Sequence, residues 1–240
     1  MEDEMILLNR RFLFLLVAIT PFAAQIKAQQ TIFNVPTTDV LGKGKVYAEL
    51  DTAFKPNDQD VQNRFSSFTP RVVVGIGGNI EIGLNVTGNV QPGADMTILV
   101  PTLKWKFYES DAKDVSLIAG TNFFIPIRNR SYSFGTYSYL AGSKTIKKTR
   151  LTAGGYIASN DVFAPNAVRS GGQFGIEQTL NNKLKLAADW FTGRHAGGYF
   201  TPGIIYNPHP RVTTYWSYSI GNADARKGNH YFLFETGYNF

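Results

Sequence analysis

The 240-residue sequence contains no cysteine, only three histidines, and 18% charged residues. A typical soluble domain is about one-quarter charged. The absence of cysteine excludes a disulfide framework and also a lipid anchor attached to an N-terminal cysteine. No cluster of residues has the spacing of metal ligands, so we expect neither a metal site nor another cofactor.

Long apolar runs are also scarce. The run Phe12–Ala24 follows Arg10 and Arg11, and it is shorter than the roughly twenty residues that a membrane-spanning helix needs. A basic flank, a short apolar run and a small residue before Gln29 form the pattern of a secretory signal peptide. We therefore assign residues 1–28 to a cleavable signal peptide, with a buried N-terminal helix as the alternative. The polar residues 29–42 are expected to form a periplasmic leader.

The chain is basic, with a formal net charge of +6. Nucleic-acid-binding proteins concentrate their basic residues in patches or stripes, whereas here lysine and arginine are scattered along the chain. The single basic run, KTIKKTR at 144–150, is typical of a solvated turn. We therefore expect no nucleic-acid partner.

Residues 43–240 are dominated by segments with a period of two, which is the side-chain period of a β-strand. About twelve such segments occur, each of about ten residues, which is the length of a tilted membrane-spanning strand. The expected strands are 45–54, 68–76, 80–90, 96–108, 115–127, 132–143, 150–158, 170–180, 184–192, 198–206, 211–220 and 230–240. Their sequence predicts an all-β fold, an antiparallel up-and-down transmembrane β-barrel.

The connections between the strands alternate in length. GGN at 77–79 and NNK at 181–183 are typical of tight hairpins, since glycine and asparagine tolerate a left-handed backbone. Longer polar loops are expected at 55–64, 160–169 and 221–229. Short turns at one end and longer loops at the other are typical of outer-membrane barrels.

Alternation alone does not distinguish a soluble barrel with an apolar interior from a membrane barrel with an apolar exterior. Three features favour the membrane barrel: an even strand count, glycines on the polar face, and aromatic residues near the ends of the apolar faces. The aromatic residues are Trp105, Phe107, Phe123, Trp190, Trp216 and Tyr218. The sixth strand stays ambiguous, because Tyr137 and Tyr139 alternate with Phe134 and Leu140.

The last strand ends in HYFLFETGYNF, with Phe232, Phe234, Tyr238 and Phe240 on one face. This strand resembles the C-terminal signature of Gram-negative bacterial outer-membrane β-barrels. The resemblance implies a location in the cell outer membrane, in contact with lipid and lipopolysaccharide. It also implies that the four aromatic residues are an assembly signal for the barrel assembly machinery.

The polar faces of the strands predict a charged lumen. Eight strands give a filled interior and sixteen an open channel, so twelve strands permit either a narrow pore or a plugged lumen. The predicted pore-lining residues are Lys45, Glu49, Asp51, Arg71, Glu81, Lys104, Lys106, Glu177, Lys185, Asp189 and Glu235. Among them, Arg71 is expected to lie between Glu49 and Glu235.

This pattern predicts a porin-like channel for passive diffusion of small hydrophilic solutes, and no enzyme. Two alternatives stay open. The first is a non-conducting structural or adhesive barrel that acts through its loops. The second is an outer-membrane hydrolase, for which Asp189 with His195, or Asp224 with His230, would supply an acid–base pair.

Overall fold

The computed structural model describes residues 30–55, 65–88, 97–128, 133–159, 162, 167–195, 197–222 and 230–240. The signal peptide expected at 1–28 lies outside these residues. Most of the three longer loops lies outside them as well.

The described residues form a closed barrel of twelve antiparallel strands in sequential order. The strands are β1 Val46–Lys55, β2 Phe65–Gly77, β3 Ile80–Gly88, β4 Thr97–Ser110, β5 Val115–Arg128, β6 Gly135–Ile146, β7 Thr149–Ala158, β8 Ser170–Thr179, β9 Leu184–Phe191, β10 Tyr199–His209, β11 Val212–Gly221 and β12 His230–Asn239. Each lies within three residues of its expected bounds. The predicted fold class is therefore confirmed.

The barrel closes where β1 pairs with β12. Their register runs from Tyr47 opposite Asn239 to Phe54 opposite Phe232. One further bond, from the Phe240 amide to the Val46 carbonyl, measures 2.9 Å. Closure leaves no unpaired strand edge in the wall, which is the requirement for a sheet that contacts lipid.

The two faces of the wall have the composition of a membrane barrel, apolar outside and polar inside. On β2 and β3, Val72 and Leu84 are 47% and 44% exposed, whereas Glu81 is 2% exposed. The ambiguous sixth strand also has a definite orientation: Tyr137 is buried and Leu140 is exposed. An exterior of apolar side chains is unfavourable in water, so this face is suited to contact with lipid.

Short turns join the strands at one end, which we call the short-turn end. In the β2–β3 turn, Gly77, Gly78 and Asn79 have φ values of 96°, 62° and 58°. Glycine and asparagine are the residues that adopt this left-handed backbone most readily. β1 begins and β12 ends at the same end. Within the described residues, no helix is long and apolar enough to cross a membrane.

Residues 30–42 lie inside the barrel, so the expectation of a leader in the periplasm is wrong for them. Ile32, Val35 and Leu41 are at most 2% exposed. Ile32 packs against lumen residues such as Tyr215, and Val35 packs against others such as Tyr137. We call residues 30–42 the inner segment. Its apolar side chains are too few and too irregular to show a period, which is why their destination was not predicted.

Candidate functional site

The lumen and the inner segment together form the candidate site. The segment bends back on itself through a bridge between Thr31 and Pro36. This bend turns three consecutive amide groups toward β9. Asp189 Oδ2 accepts hydrogen bonds from the amides of Phe33, at 2.9 Å, Asn34, at 2.5 Å, and Val35, at 2.8 Å. A carboxylate that binds several backbone N–H groups is strongly held, because each bond is charge-assisted.

Both ends of the inner segment meet the same ion pair. Lys104 Nζ lies 2.8 Å from Glu81 Oε1. Glu81 Oε2 accepts the Leu41 amide at 2.9 Å and the Gln30 side-chain amide at 3.3 Å. Glu81 is the second residue of β3, next to the short-turn end. The inner segment therefore enters and returns at that end.

A third contact joins the inner segment to β7. Arg150 Nη1 lies 2.8 Å from Asp39 Oδ2, and Arg150 Nε donates to Glu177 Oε2. Lys185 Nζ lies 3.1 Å from Glu177 Oε1. This group contains two acids and two bases, so its charges balance.

The sequence analysis began the seventh strand at Arg150 but did not include this residue among the pore-lining residues, because it interpreted the basic run 144–150 as a solvated turn. In the structure β7 begins at Thr149, so Arg150 is part of the wall and partly buried. The sequence did contain a signal. Arg150 precedes the apolar Leu151, so alternation places the two side chains on opposite faces and Arg150 on the polar, inner face.

A second group of charges lies at the seam between β1 and β12. Arg71 Nη1 lies 2.7 Å from Glu49 Oε1, and Nη2 lies 3.3 Å from Asp51 Oδ2. The expected pairing of Arg71 with Glu49 is therefore present. Asp51, directly opposite Glu235 in the register, is the second carboxylate that Arg71 contacts. Tyr47 donates its hydroxyl hydrogen to Glu49 Oε2.

Aromatic residues fill more of the lumen than the sequence indicated. Tyr137, Tyr156 and Phe191 form a cluster with Val35 of the inner segment, and the Tyr156 and Phe191 ring centroids lie 4.3 Å apart. The sequence analysis expected small residues and charges on this face. Tyr137, Tyr156 and Phe191 alternate with Ser138, Ile157 and Trp190, and this alternation could have indicated which face enters the lumen. Aromatic residues occur on both faces of these strands, however, so the alternation was not decisive.

A cavity of about 380 Å³ remains beside the inner segment. Phe33 and Asn34 form part of its boundary, and Asp51, Arg71 and Glu235 line it on the wall side. Its volume is within the range of about 300–1,000 Å³ that small-molecule sites occupy.

Ten of the eleven predicted pore-lining residues are buried or partly buried. They are Glu49, Asp51, Arg71, Glu81, Lys104, Lys106, Glu177, Lys185, Asp189 and Glu235. Lys45 is different: it precedes β1 and is exposed at the short-turn end, because the strand begins one residue later than expected. Whether the ten residues line a conducting path stays a prediction.

The predicted assembly signal lies on the outer face of β12. Phe232, Tyr238 and Phe240 are exposed, and Phe234 is half-buried against Trp216, with ring centroids 4.4 Å apart. Their recognition by the assembly machinery stays a prediction.

His195 follows β9 and has a definite hydrogen-bond arrangement. Its Nδ1 accepts the Gly197 amide at 3.1 Å, so the neutral ring carries its proton on Nε2. Nε2 lies 2.7 Å from the Tyr156 hydroxyl, which donates to the Thr192 carbonyl at 2.6 Å. His195 is therefore a donor toward Tyr156, not a base. Burial lowers the pKa of His195 below its ordinary value, against a smaller opposing effect of the Thr192 backbone.

Of the two acid–base pairs considered for a hydrolase, Asp189 and His195 have separate hydrogen-bond partners among the described residues. Asp189 binds the backbone of the inner segment, and His195 binds Tyr156 and Gly197. Asp224 lies outside the described residues, so its pairing with His230 stays untested.

No protein-family model and no curated protein matches the chain. Solved structures do match it in fold. Outer-membrane phospholipase A from Escherichia coli has 11% sequence identity and a TM-score of 0.50, over 85% of this chain and 94% of that chain. An outer-membrane channel from Pseudomonas putida F1 has 10% identity and a TM-score of 0.44, over 84% and 97%. A loop-deletion mutant of OmpT, an outer-membrane protein of Vibrio cholerae, has 12% identity and a TM-score of 0.38, over 82% and 97%.

At these identities the likeness concerns the fold. Together with the closed barrel and its apolar exterior, it establishes an outer-membrane β-barrel protein located in the cell outer membrane.

Proposed function

We propose that the protein is a restricted channel for passive diffusion of small hydrophilic solutes, in which the inner segment sets the width of the path. The observation that supports this proposal is the cavity of about 380 Å³ between the inner segment and the wall, lined by Asp51, Arg71 and Glu235. A polar, solvated lumen is what porin-like barrels use for diffusion.

The way in which the inner segment is held also supports a channel. Its main attachments are polar: three amides on Asp189, the Leu41 amide on Glu81, and Asp39 on Arg150. Water can replace such contacts at lower cost than it can replace a continuous apolar interface. The segment also buries Ile32, Val35 and Leu41 against the lumen, so its release costs apolar burial as well as these polar contacts.

The test is single-channel conductance of the refolded mature chain in planar bilayers, compared with a variant that lacks residues 30–41. We expect small conductance steps for the intact chain and markedly larger ones for the deletion. Asp189→Asn, which weakens one attachment only, should give an intermediate frequency of large openings. If the deletion folds and neither protein conducts, the barrel is non-conducting and the structural or adhesive alternative is favoured.

The hydrolase alternative is tested by release of fatty acid from phospholipid vesicles by the same refolded protein. Our proposal expects no release above the background of empty vesicles. Release that is abolished by His195→Asn would contradict the proposal and would assign the activity to the end of the barrel where His195 lies.

The proposed partners follow from the outer surface. The exposed aliphatic and aromatic side chains would contact lipid and lipopolysaccharide, and the barrel assembly machinery would recognise β12 through Phe232, Phe234, Tyr238 and Phe240. We expect Phe240→Ser to reduce the amount of heat-modifiable barrel in outer membranes far more than Asn239→Ser, because Asn239 is buried and only Phe240 lies on the outer face. Equal amounts of both variants would remove the reason for this assignment.

A further inference from the structure

Three carboxylates converge at the seam of the barrel. Glu49 and Asp51 are on β1 and Glu235 is on β12, and one oxygen atom from each lies within 4.8 Å of the other two. The register explains the meeting, since Asp51 is directly opposite Glu235 and Glu49 is two residues away on the same face.

The charge of this group is not balanced by the residues around it. Arg71 contacts Glu49 and Asp51, so three negative charges face one positive charge and two negative charges remain. Elsewhere in the lumen, Glu81 pairs with Lys104 and Glu177 pairs with Arg150 and Lys185. Asp189 has no basic partner in these pairs but accepts three backbone amides. A buried charge without compensation is strongly unfavourable.

Oxygen atoms at this group also lack hydrogen-bond donors. Within the described part of the chain, Asp51 Oδ1 and Glu235 Oε2 are buried and accept no hydrogen bond. An independent residue points to the same place. Tyr215 on β11 is directly opposite Glu235, is 0% exposed, and its hydroxyl makes no hydrogen bond of good geometry with the described residues. This hydroxyl lies close to the Tyr47 hydroxyl and to the carboxylates of Glu49 and Glu235.

We propose that Glu49, Asp51 and Glu235 bind a divalent metal cation, with Ca²⁺ as the preferred ion. One divalent cation cancels the two residual negative charges. The ligand atoms are all oxygen, which is the preference of Ca²⁺ and Mg²⁺. The Tyr215 hydroxyl lies on the same side of the wall as a further polar group for the ion's coordination or hydration shell.

The ligand set favours Ca²⁺ over Mg²⁺. Ca²⁺ takes six to eight oxygen ligands and accepts several carboxylates, whereas Mg²⁺ usually keeps several waters and binds one or two carboxylates. The three carboxylate oxygens lie within 4.8 Å of one another, which is close enough for one cation to contact all three. Access is available, because Asp51 and Glu235 also line the cavity of about 380 Å³. The site is independent of whether the barrel conducts.

Terbium luminescence tests the proposal on the full mature chain, refolded in detergent without lipopolysaccharide, which itself binds divalent cations. Tb³⁺ replaces Ca²⁺ at oxygen sites and emits when a nearby tyrosine is excited, and Tyr47 and Tyr215 adjoin the carboxylates. We expect saturable emission that Ca²⁺ displaces at lower concentration than Mg²⁺. We also expect Ca²⁺ to raise the melting temperature, relative to EDTA, by on the order of 5 °C.

Three site variants and one control variant separate this site from nonspecific binding. Asp51→Asn and Glu235→Gln should each reduce Tb³⁺ affinity at least tenfold, whereas Glu109→Gln, an exposed glutamate of β4, should leave it unchanged. Tyr215→Phe removes only a hydroxyl, so it keeps the barrel intact and should weaken binding by a smaller factor. Folded wild-type protein without saturable emission or a Ca²⁺-dependent melting shift would overturn the proposal. Emission that is undiminished in all three site variants would also overturn it.

Discussion

Two groups of acidic residues in the same lumen are stabilised in different ways. Asp189 receives three backbone amides from the inner segment, and Glu177 receives Arg150 and Lys185. At the seam, Arg71 contacts Glu49 and Asp51, and Glu235 lies beside them. The first group binds the inner segment through Asp189 and Arg150, whereas the seam contacts it through the Arg71 hydrogen bond to Thr31 Oγ1 at 3.4 Å. This difference separates the part of the lumen that holds the inner segment most firmly from the part where we propose that an ion binds.

Replacing Arg71 should give the largest effect, since it removes the cation that contacts both Glu49 and Asp51. We expect Arg71→Ala to lower the free energy of unfolding by about 3–5 kcal/mol, because it leaves buried carboxylates without a partner. Arg71→Lys keeps the charge but loses the two-pronged contact, so its effect should be smaller. Urea unfolding in detergent micelles measures both.

Conductance supplies an independent readout for the same variants. If Arg71→Ala forms a pore, its reversal potential in a salt gradient should shift toward cation selectivity. An unfolding free energy equal to that of wild type would show that the seam does not depend on Arg71.

Asp189→Asn should have the next largest effect. The amides of Phe33, Asn34 and Val35 would meet a neutral oxygen in place of a carboxylate, at a cost of about 1.5–3 kcal/mol for the lost charged hydrogen bonds. The free energy of unfolding from urea titration measures this cost. In the variant that lacks residues 30–41 the same substitution should cost little. An equal cost in both backgrounds would mean that Asp189 does not act through the inner segment.

Gly175→Ala tests the position of the inner segment by packing alone. A Cβ atom at this position would clash with Ile32 Cδ1, whereas a Cβ atom at Gly155 would lie 3.6 Å from its nearest neighbour, the Gly171 carbonyl oxygen. We expect a loss of about 1 kcal/mol for Gly175→Ala, because Ile32 can partly move aside, and little change for Gly155→Ala. Thermal unfolding of both variants, with and without residues 30–41, measures the difference. A cost for Gly175→Ala that survives the deletion would place the clash elsewhere.

His195 should give the smallest effect, through pH. Its pKa is lowered in the folded protein, so as the pH falls the unfolded chain, with a histidine pKa of about 6.5, takes up the proton first. Its contribution to stability is complete above about pH 6.5 and is lost as the pH falls below that value. Urea midpoints at pH 8 and pH 5 should differ less for His195→Asn than for wild type. Equal differences would contradict this assignment.

The wall was predictable because successive side chains of a barrel strand alternate between the lumen and the exterior, and this alternation can be read from the local sequence alone. Parity alone placed Glu81, Glu177 and Glu235 inside and Val72 outside, and the end of β2 followed from the turn residues at 77–79. The same rule would have placed Arg150 in the lumen, since the seventh expected strand began there, had the basic run 144–150 not been interpreted as solvated. The twelve-strand count needed only the lengths of the segments between turns.

The inner segment was not predictable, because its partners are distant in sequence and its residues have no period. The contact of Asn34 with Asp189 spans 155 positions. Nothing near Asn34 indicates that partner, and the bend that directs three amides to one oxygen is a property of the backbone. The seam group is intermediate: parity placed its members on one wall, but only the register made Asp51 a neighbour of Glu235.

The inner segment enters and leaves at the short-turn end, and this has a consequence for chain topology. Its two ends meet at Glu81, and residues 43–45 join it to β1 at the same end. The described part of the inner segment is a loop that is attached to the barrel at this end only, and it is not threaded through another loop of the described chain. It can therefore leave the lumen and return to it without separation of any of the twelve strand pairs.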